Sequence, residues 1–277
     1  MQDTSDVLFP DLSFPPAPSH PLDSGGESVS VRRKIRSGEL SGTSRGLAHG
    51  FVQCNLAILP KAYAFDFLLY CQRNQRACPV LEVLEPGDPY PRRLCIDADV
   101  RTDCAKYAIY RDGVREDDVT DIHALWRDDL TTFLIGSGIT FDGALEEAGV
   151  PTDRHRWVLN TRVPTAPAGI FQGPLVVTMR WLTPAQSIIA TQISARFPFN
   201  HGAPIHIGDP ATIGANLEQP LFGGAVGPCP PELTPVFWAC GVTPQAAAVA
   251  ARLPLFLAHA PAHSFITDYP ATGLRLA

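Results

Sequence analysis

Three short stretches hold the side chains best suited to moving protons. "HGAPIHIGDP" (residues 201–210) sets His201, His206 and Asp209 among small and apolar residues. "WACGVTPQAA" (238–247) carries Cys240, and "LFLAHAPAHSFITD" (255–268) carries His259 and His263. In each stretch a short apolar run that reads as a strand ends on a reactive group. In layered α/β folds ligands bind beyond strand ends, where loops and helix N-termini converge. For His206 a hydrogen-bonded core imidazole stays open as the alternative, and for Cys240 a buried structural thiol.

The local signals around Cys240 favour a turn into a helix. Gly241 permits a tight bend, Thr243 reads as the N-cap and Pro244 as the first helical residue. A thiol so placed is expected to have a lowered pKa. His259 and His263 have the four-residue spacing that on a helix would grip one metal ion, but Pro261 between them breaks a regular helix. Neither a metal site nor a cofactor is expected.

The elements that must position these groups read as follows. "VRRKIRSGEL" forms a short basic helix. "GFVQCNLAILP" is a strand that leads at Pro60 into the buried helix "KAYAFDFLLYCQRN", and "CPVLEVLEP" supplies another strand. Asp112-Gly113 between extended segments is a hairpin signal. "DIHALWRDDLTTFLIG" and "TFDGALEEAG" read as amphipathic helices, the second capped by Thr140. From "PLVVTMR" onward strands alternate with helices, the first of them "TPAQSIIATQISARF" with Thr183 as cap. That alternation predicts a parallel or mixed sheet covered on its faces. The expected class is α/β: a layered mixed-sheet domain from residues 31–85 plus 174–277, a smaller inserted α+β subdomain over 86–173, and a flexible Pro- and Ser-rich tail over 1–30.

Composition sets limits on partners. A net charge of -6 disfavours cationic attachment to nucleic acid or to acidic membranes, and no run of about 18 apolar residues is present to span a bilayer. Seven scattered cysteines with no CxxC pair fit a reducing interior rather than a disulfide framework, so a cytoplasmic protein is expected. A small-molecule substrate is the expected partner, and homo-oligomerisation stays open.

"GLAHGFVQCNLAILPKAYAFDFLLYCQRN", "DADVRTDCAKYAIYRDG", "LWRDDLTTFLIG", "ARFPFNHGAPIHIGDP", "VFWACGVTPQAA" and "HAPAHSFITD" together resemble the hydro-lyase family that includes D-glutamate cyclase, over about residues 35–270. The resemblance implies a two-part α/β fold and, for one branch, conversion of D-glutamate to 5-oxo-D-proline with loss of water. Departures from the family pattern fall at Arg162, Ser137, Gly138, Asp142, Ala262 and Ser264. The expected function is that of a carbon–oxygen lyase removing water from an amino or hydroxy acid. The alternatives are a dehydratase or cyclase of secondary metabolism and a non-catalytic amino-acid sensor.

Water loss needs a base and an acid near neutrality. His206 and His263 are the expected pair, with Asp209 orienting an imidazole and Cys240 as a second proton carrier. Substrate carboxylates are expected at Arg101, Arg162, Arg180 and Arg196, at the helix N-terminus around Thr243 and Gln245, and beside Asn55.

Overall fold

The computed structural model describes residues 26–152 and 156–276; all of the expected tail except 26–30 lies outside them. Helix α1 (Glu27–Arg36) precedes strand β1 (Phe51–Pro60), helix α2 (Ala64–Arg73) and strand β2 (Val80–Val83). Strands β3 (Tyr107–Arg111) and β4 (Val114–Arg115) form the expected hairpin. Asp112 and Gly113 both have positive φ, 50° and 80°, as a two-residue primed turn requires. Strand β5 (Leu130–Gly136), helix α3 (Asp142–Glu147), and strands β6 (Arg156–Pro164) and β7 (Pro174–Leu182) follow. The chain ends with α4 (Pro184–Ala195), β8 (His206–Ile207), β9 (Thr234–Ala239), α5 (Val242–Ala250), β10 (Phe256–His259) and β11 (Phe265–Pro270). Thr183 caps α4 in a full capping box with Gln186.

Two sheets form the α/β body. The larger has the order β2-β5-β1-β10-β3-β4, with β11 also on β1; the smaller has the order β6-β7-β9-β8. The expected α/β class holds, but every described strand pair is antiparallel. The alternation of strand and helix arises because α5 carries the chain from the small sheet to the large one, not because helices cross over between parallel neighbours. Sheet membership also departs from the expected division at residues 86 and 173. Strands β3 to β5 join β1 and β10, whereas β6 pairs with β7 in the second sheet.

β1 is the axis of the large sheet. Its side chains alternate between two cores: Cys54, Leu56 and Ile58 enter one, Ala57 and Leu59 the other. This two-sided burial explains why "FVQCNLAILP" is nearly continuously apolar. On one edge β1 pairs with β5 along seven residues. On the other edge it is shared, β11 taking Phe51 to Cys54 and β10 taking Ala57 and Ile58.

Two helix expectations need correction. "LTTFLIG" is the central strand β5, buried at all seven positions, rather than the end of a helix. Short apolar runs do not distinguish the two periods, and the β-branched Thr131, Thr132 and Ile135 favour the strand. Thr140 does not cap α3. Its hydroxyl accepts from Gln53 N–H at 3.0 Å, tying the turn before α3 to β1.

Candidate active site

A cavity of about 270 Å³ lies between the two sheets, walled by the split edge of β1, the turn between β10 and β11, the start of α5, and strands β6, β7 and β9. Four features give it chemical character.

The first is a cationic wall. Asp142 is buried and receives Arg156 Nη1 on one oxygen and Arg180 Nη2 on the other, each at 2.6 Å. Burial opposes ionisation of this carboxyl, but the charges of Arg156 and Arg180 outweigh it and hold the pKa below the usual carboxylate range. Arg180 is 2% exposed, and burial pulls its guanidinium below the ordinary value despite Asp142. Its Nε and Nη1 have no hydrogen-bond partner among the described residues. Its guanidinium carbon also stands 5.5 Å from the ring centre of Trp238. Arg45 stands at the open rim of the cavity, its pKa lowered to about 10 by partial desolvation and by Arg156. Among the described residues three guanidiniums thus gather at this wall around one hydrogen-bonded carboxylate, Asp142.

The second is His259, the last residue of β10. Where β1 passes from β11 to β10, the Leu56 N–H has no strand partner and donates to His259 Nδ1 at 3.2 Å. Gln245 Nε2 approaches the same nitrogen at 3.0 Å from the first turns of α5. The imidazole is 5% exposed, and desolvation pulls its pKa down to about 4, with His263 a lesser contributor.

The third is His201, in the left-handed conformation at φ 77° and followed by Gly202 at φ 66°. Its Nδ1 lies 3.1 Å from the Arg76 carbonyl; burial lowers its pKa to about 4, with Arg76 and Arg156 adding to the effect.

The fourth is a small-residue face. Ser137 and Ser264 approach each other at 3.4 Å between hydroxyl oxygens, and Asn55 donates to the Gly136 carbonyl. Gly241 is required here because a Cβ would lie 2.0 Å from Asn55 Nδ2.

Of the residues expected from sequence, Asn55, Arg180, Cys240 and Gln245 line this cavity. The Cys240 thiol is raised, not lowered as its place before α5 suggested: burial outweighs the Thr178 hydroxyl and the Val242 N–H that favour the thiolate. Thr243 lies inside α5 rather than capping it, and its hydroxyl is spent on the Val176 backbone of β7.

The remaining expected residues fall elsewhere. His206 donates from Nε2 to the Asp209 carbonyl at 2.8 Å and stacks near Phe237, while the exposed Asp209 caps its own turn at Ala211 N–H. The half-buried His263 donates from Nδ1 to the Pro261 carbonyl behind the cavity wall. Arg101 pairs with Asp99 at the surface beside Tyr90. Arg162 is exposed with its stem against Gly214, and Arg196 reaches the Leu276 carbonyl.

Sequence reasoning passed over His201, Arg156 and Arg45 as site residues. His201 lay in the quoted segment, but its burial at the cavity, which distinguishes it from His206, is a tertiary property, and Arg156 announces itself only through Asp142. Among the described residues no group of three or more His, Cys, Asp or Glu side chains is placed to hold a metal ion, and no helix is long and apolar enough to cross a membrane.

A cation-rich cavity with two buried imidazoles, set between the layers of an α/β fold, has the equipment of an active site. A family model described as D-glutamate cyclase matches residues 131–268. A "Putative hydro-lyase" of Bacillus licheniformis is 49% identical over 244 residues, covering 86% of this chain and 93% of that protein. One from Jannaschia sp. is 49% identical over 253 residues, covering 89% and 95%. One from Bordetella pertussis is 47% identical over 266 residues, covering 91% and 96%. The chain belongs to this hydro-lyase family. A solved nitrogen repressor-like protein from Methanococcus jannaschii matches at a TM-score of 0.36 and 13% identity, over 83% of this chain and 91% of that one, a similarity too weak to bear on function.

Proposed function

We propose that the protein is a carbon–oxygen lyase that removes water from a small amino or hydroxy acid whose carboxylate seats against Arg180. The observation that carries this reading is the surplus of positive charge at the cavity wall, where among the described residues Arg180, Arg156 and Arg45 meet the single carboxylate of Asp142 and two donors of Arg180 are buried without a partner. A buried donor without a partner costs about 1–3 kcal/mol, more when charged, so the surplus positive charge of this wall is held at some expense, and an incoming carboxylate would offset it. The volume, about 270 Å³, falls below the roughly 300–1,000 Å³ of drug-sized sites and suits a compact acid.

Within this class the family match favours cyclisation of D-glutamate to 5-oxo-D-proline. The amine and the carboxyl to be joined belong to one molecule, so the protein must hold a folded conformer and move protons. Orientation of that kind lowers a barrier by roughly 7–11 kcal/mol in favourable cases. A second carboxylate would find the charge of Arg45 and Arg156 at the same wall.

The test incubates the full chain with D-glutamate, L-glutamate and a panel of hydroxy acids and follows loss of one water by mass spectrometry. Turnover of at least one acid, abolished in Arg180→Met, supports the proposal. Heat of binding without any product would instead identify an amino-acid sensor. Turnover unaffected by Arg180→Met would move the carboxylate elsewhere. Preference for a larger apolar acid would point to secondary metabolism.

A further inference from the structure

The two buried histidines of the cavity are held in opposite tautomers by groups that can act in only one way. The Arg76 carbonyl can only accept, so His201 carries its proton on Nδ1, and its Nε2 is a bare lone pair. The Leu56 backbone N–H can only donate, so His259 Nδ1 is the lone pair and Nε2 bears the proton. The Gln245 amide nitrogen donates to the same Nδ1 and reinforces that choice. Neither Nε2 has a hydrogen-bond partner among the described protein groups, and both rings line the cavity. From these contacts we infer that His201 is the proton-transferring base and His259 a permanently neutral N–H donor of the water-eliminating site.

The inference rests on the proposed water loss and supplies its division of labour. His201 Nε2 takes a proton from the substrate, from carbon in an elimination or from the amine in a cyclisation. The electron pair released forms the C=C or C–N bond, and the C–O bond breaks. The departing oxygen collects the proton that His201 took, leaves as water, and returns the ring to its starting form; in the cyclisation a second amine proton travels the same way. No co-reactant enters. His259 Nε2–H meanwhile donates to the substrate oxygen that becomes negative in passing, and it stays neutral, because full transfer would leave an imidazolate. A neutral imidazole held as an electrophile has precedent where the environment suppresses its protonation, and the donors that fix His259 Nδ1 as a lone pair leave its Nε2–H for that role. The backbone of His201 agrees with its assignment. A non-glycine residue held at φ 77° bears strain that surrounding contacts must offset, a feature concentrated at functional positions.

The His201 backbone also supplies a clean variant, since glycine adopts that conformation readily. His201→Gly is expected to lower kcat on D-glutamate by roughly a thousandfold, with added imidazole restoring part of the loss. His259→Asn is expected to lower kcat by roughly a hundredfold with KM within about threefold, as loss of one oxyanion donor does. Independently of turnover, two-bond proton–nitrogen spectra of the uniformly labelled full chain at neutral pH should show His201 protonated at Nδ1 and His259 at Nε2. The same tautomer on both rings overturns the assignment by itself. So does His201→Gly turning over D-glutamate within tenfold of wild type without imidazole. If the wild-type chain removes water from no acid offered, the roles fall with the reaction, while the spectra still decide the tautomers and keep the two failures apart.

Discussion

Two clusters of arginine and aspartate are buried in this molecule, and they are built differently. Beneath α1, Asp268 accepts from Arg32 on both oxygens at 2.6 and 2.7 Å, from Ser28 at 2.6 Å and from Ile96 N–H at 2.7 Å. Asp103 accepts from Arg36 at 2.8 and 2.7 Å, from the Thr102 hydroxyl and from Asp99 N–H, while Arg32 Nη1 and Nη2 also reach the Ile266 and Ile96 carbonyls. Two cations meet two anions there; Arg32 Nε, 3.8 Å from Asp103, is the one orphaned atom of the group. At the cavity, by contrast, Asp142 is the one carboxylate among the described residues that is hydrogen-bonded to Arg156 and Arg180, Arg45 adds a third guanidinium at the rim, and Arg180 keeps two buried donors idle. The saturated cluster is a clasp that fixes α1 to β11. The unsaturated one holds binding capacity in reserve at some cost to the folded state.

The largest effect that separates them is on stability. Asp268→Ala leaves the Arg32 guanidinium buried without its partner, and loss of about 3–5 kcal/mol is expected in urea unfolding. Arg180→Met removes an under-partnered cation and should leave the unfolding midpoint unchanged or higher. Equal losses in the two variants would erase the distinction between clasp and reserve.

Acid should act on the cavity through its two imidazoles. Both buried imidazoles have folded-state values near 4 against an ordinary value of about 6.5, so below the latter the unfolded chain binds more protons. Stability is therefore full above about pH 6.5 and falls as pH drops toward 4, by about 3 kcal/mol for each imidazole. His259→Asn should remove about half of that slope between pH 7 and 4.5. A wild-type midpoint that does not change over this range would show that the rings are not held neutral. A smaller effect comes from ligand. An acid present at a hundred times its Kd should stabilise wild type by about 3 kcal/mol and Arg180→Met by much less. Equal protection would place the anion away from Arg180.

The comparison also shows what a sequence discloses and what it hides. The cap at Thr183 and the Asp112-Gly113 turn are local matters, and local chemistry predicts them. The cavity is not local. Cys240 and Gln245 were legible because a strand end and a helix start lie side by side in the chain. Asp142, by contrast, organises Arg156 and Arg180 from 14 and 38 residues away, a relation that spacing does not encode. The placement of His206 failed for the same reason. Strand β8 is two residues long on the edge of the small sheet, so its end opens on the surface instead of the space between sheets.

That edge gives the smallest and most pointed prediction. His206 and Asp209 are each satisfied within a single turn: the ring donates to the Asp209 backbone carbonyl, and the Asp209 carboxylate accepts from Ala211 N–H. Neither contact reaches the cavity wall. His206→Ala should therefore change stability by about 0.5 kcal/mol or less, as ordinary surface substitutions do, and leave kcat within about twofold. His201, five positions earlier in the same segment, should behave oppositely, because its ring alone crosses from that loop into the space between the sheets. Measuring turnover in the two variants side by side reads which of two neighbouring imidazoles the fold has recruited. Full loss in His206→Ala with none in His201→Gly would reverse the assignment and move the chemistry to the edge of the small sheet.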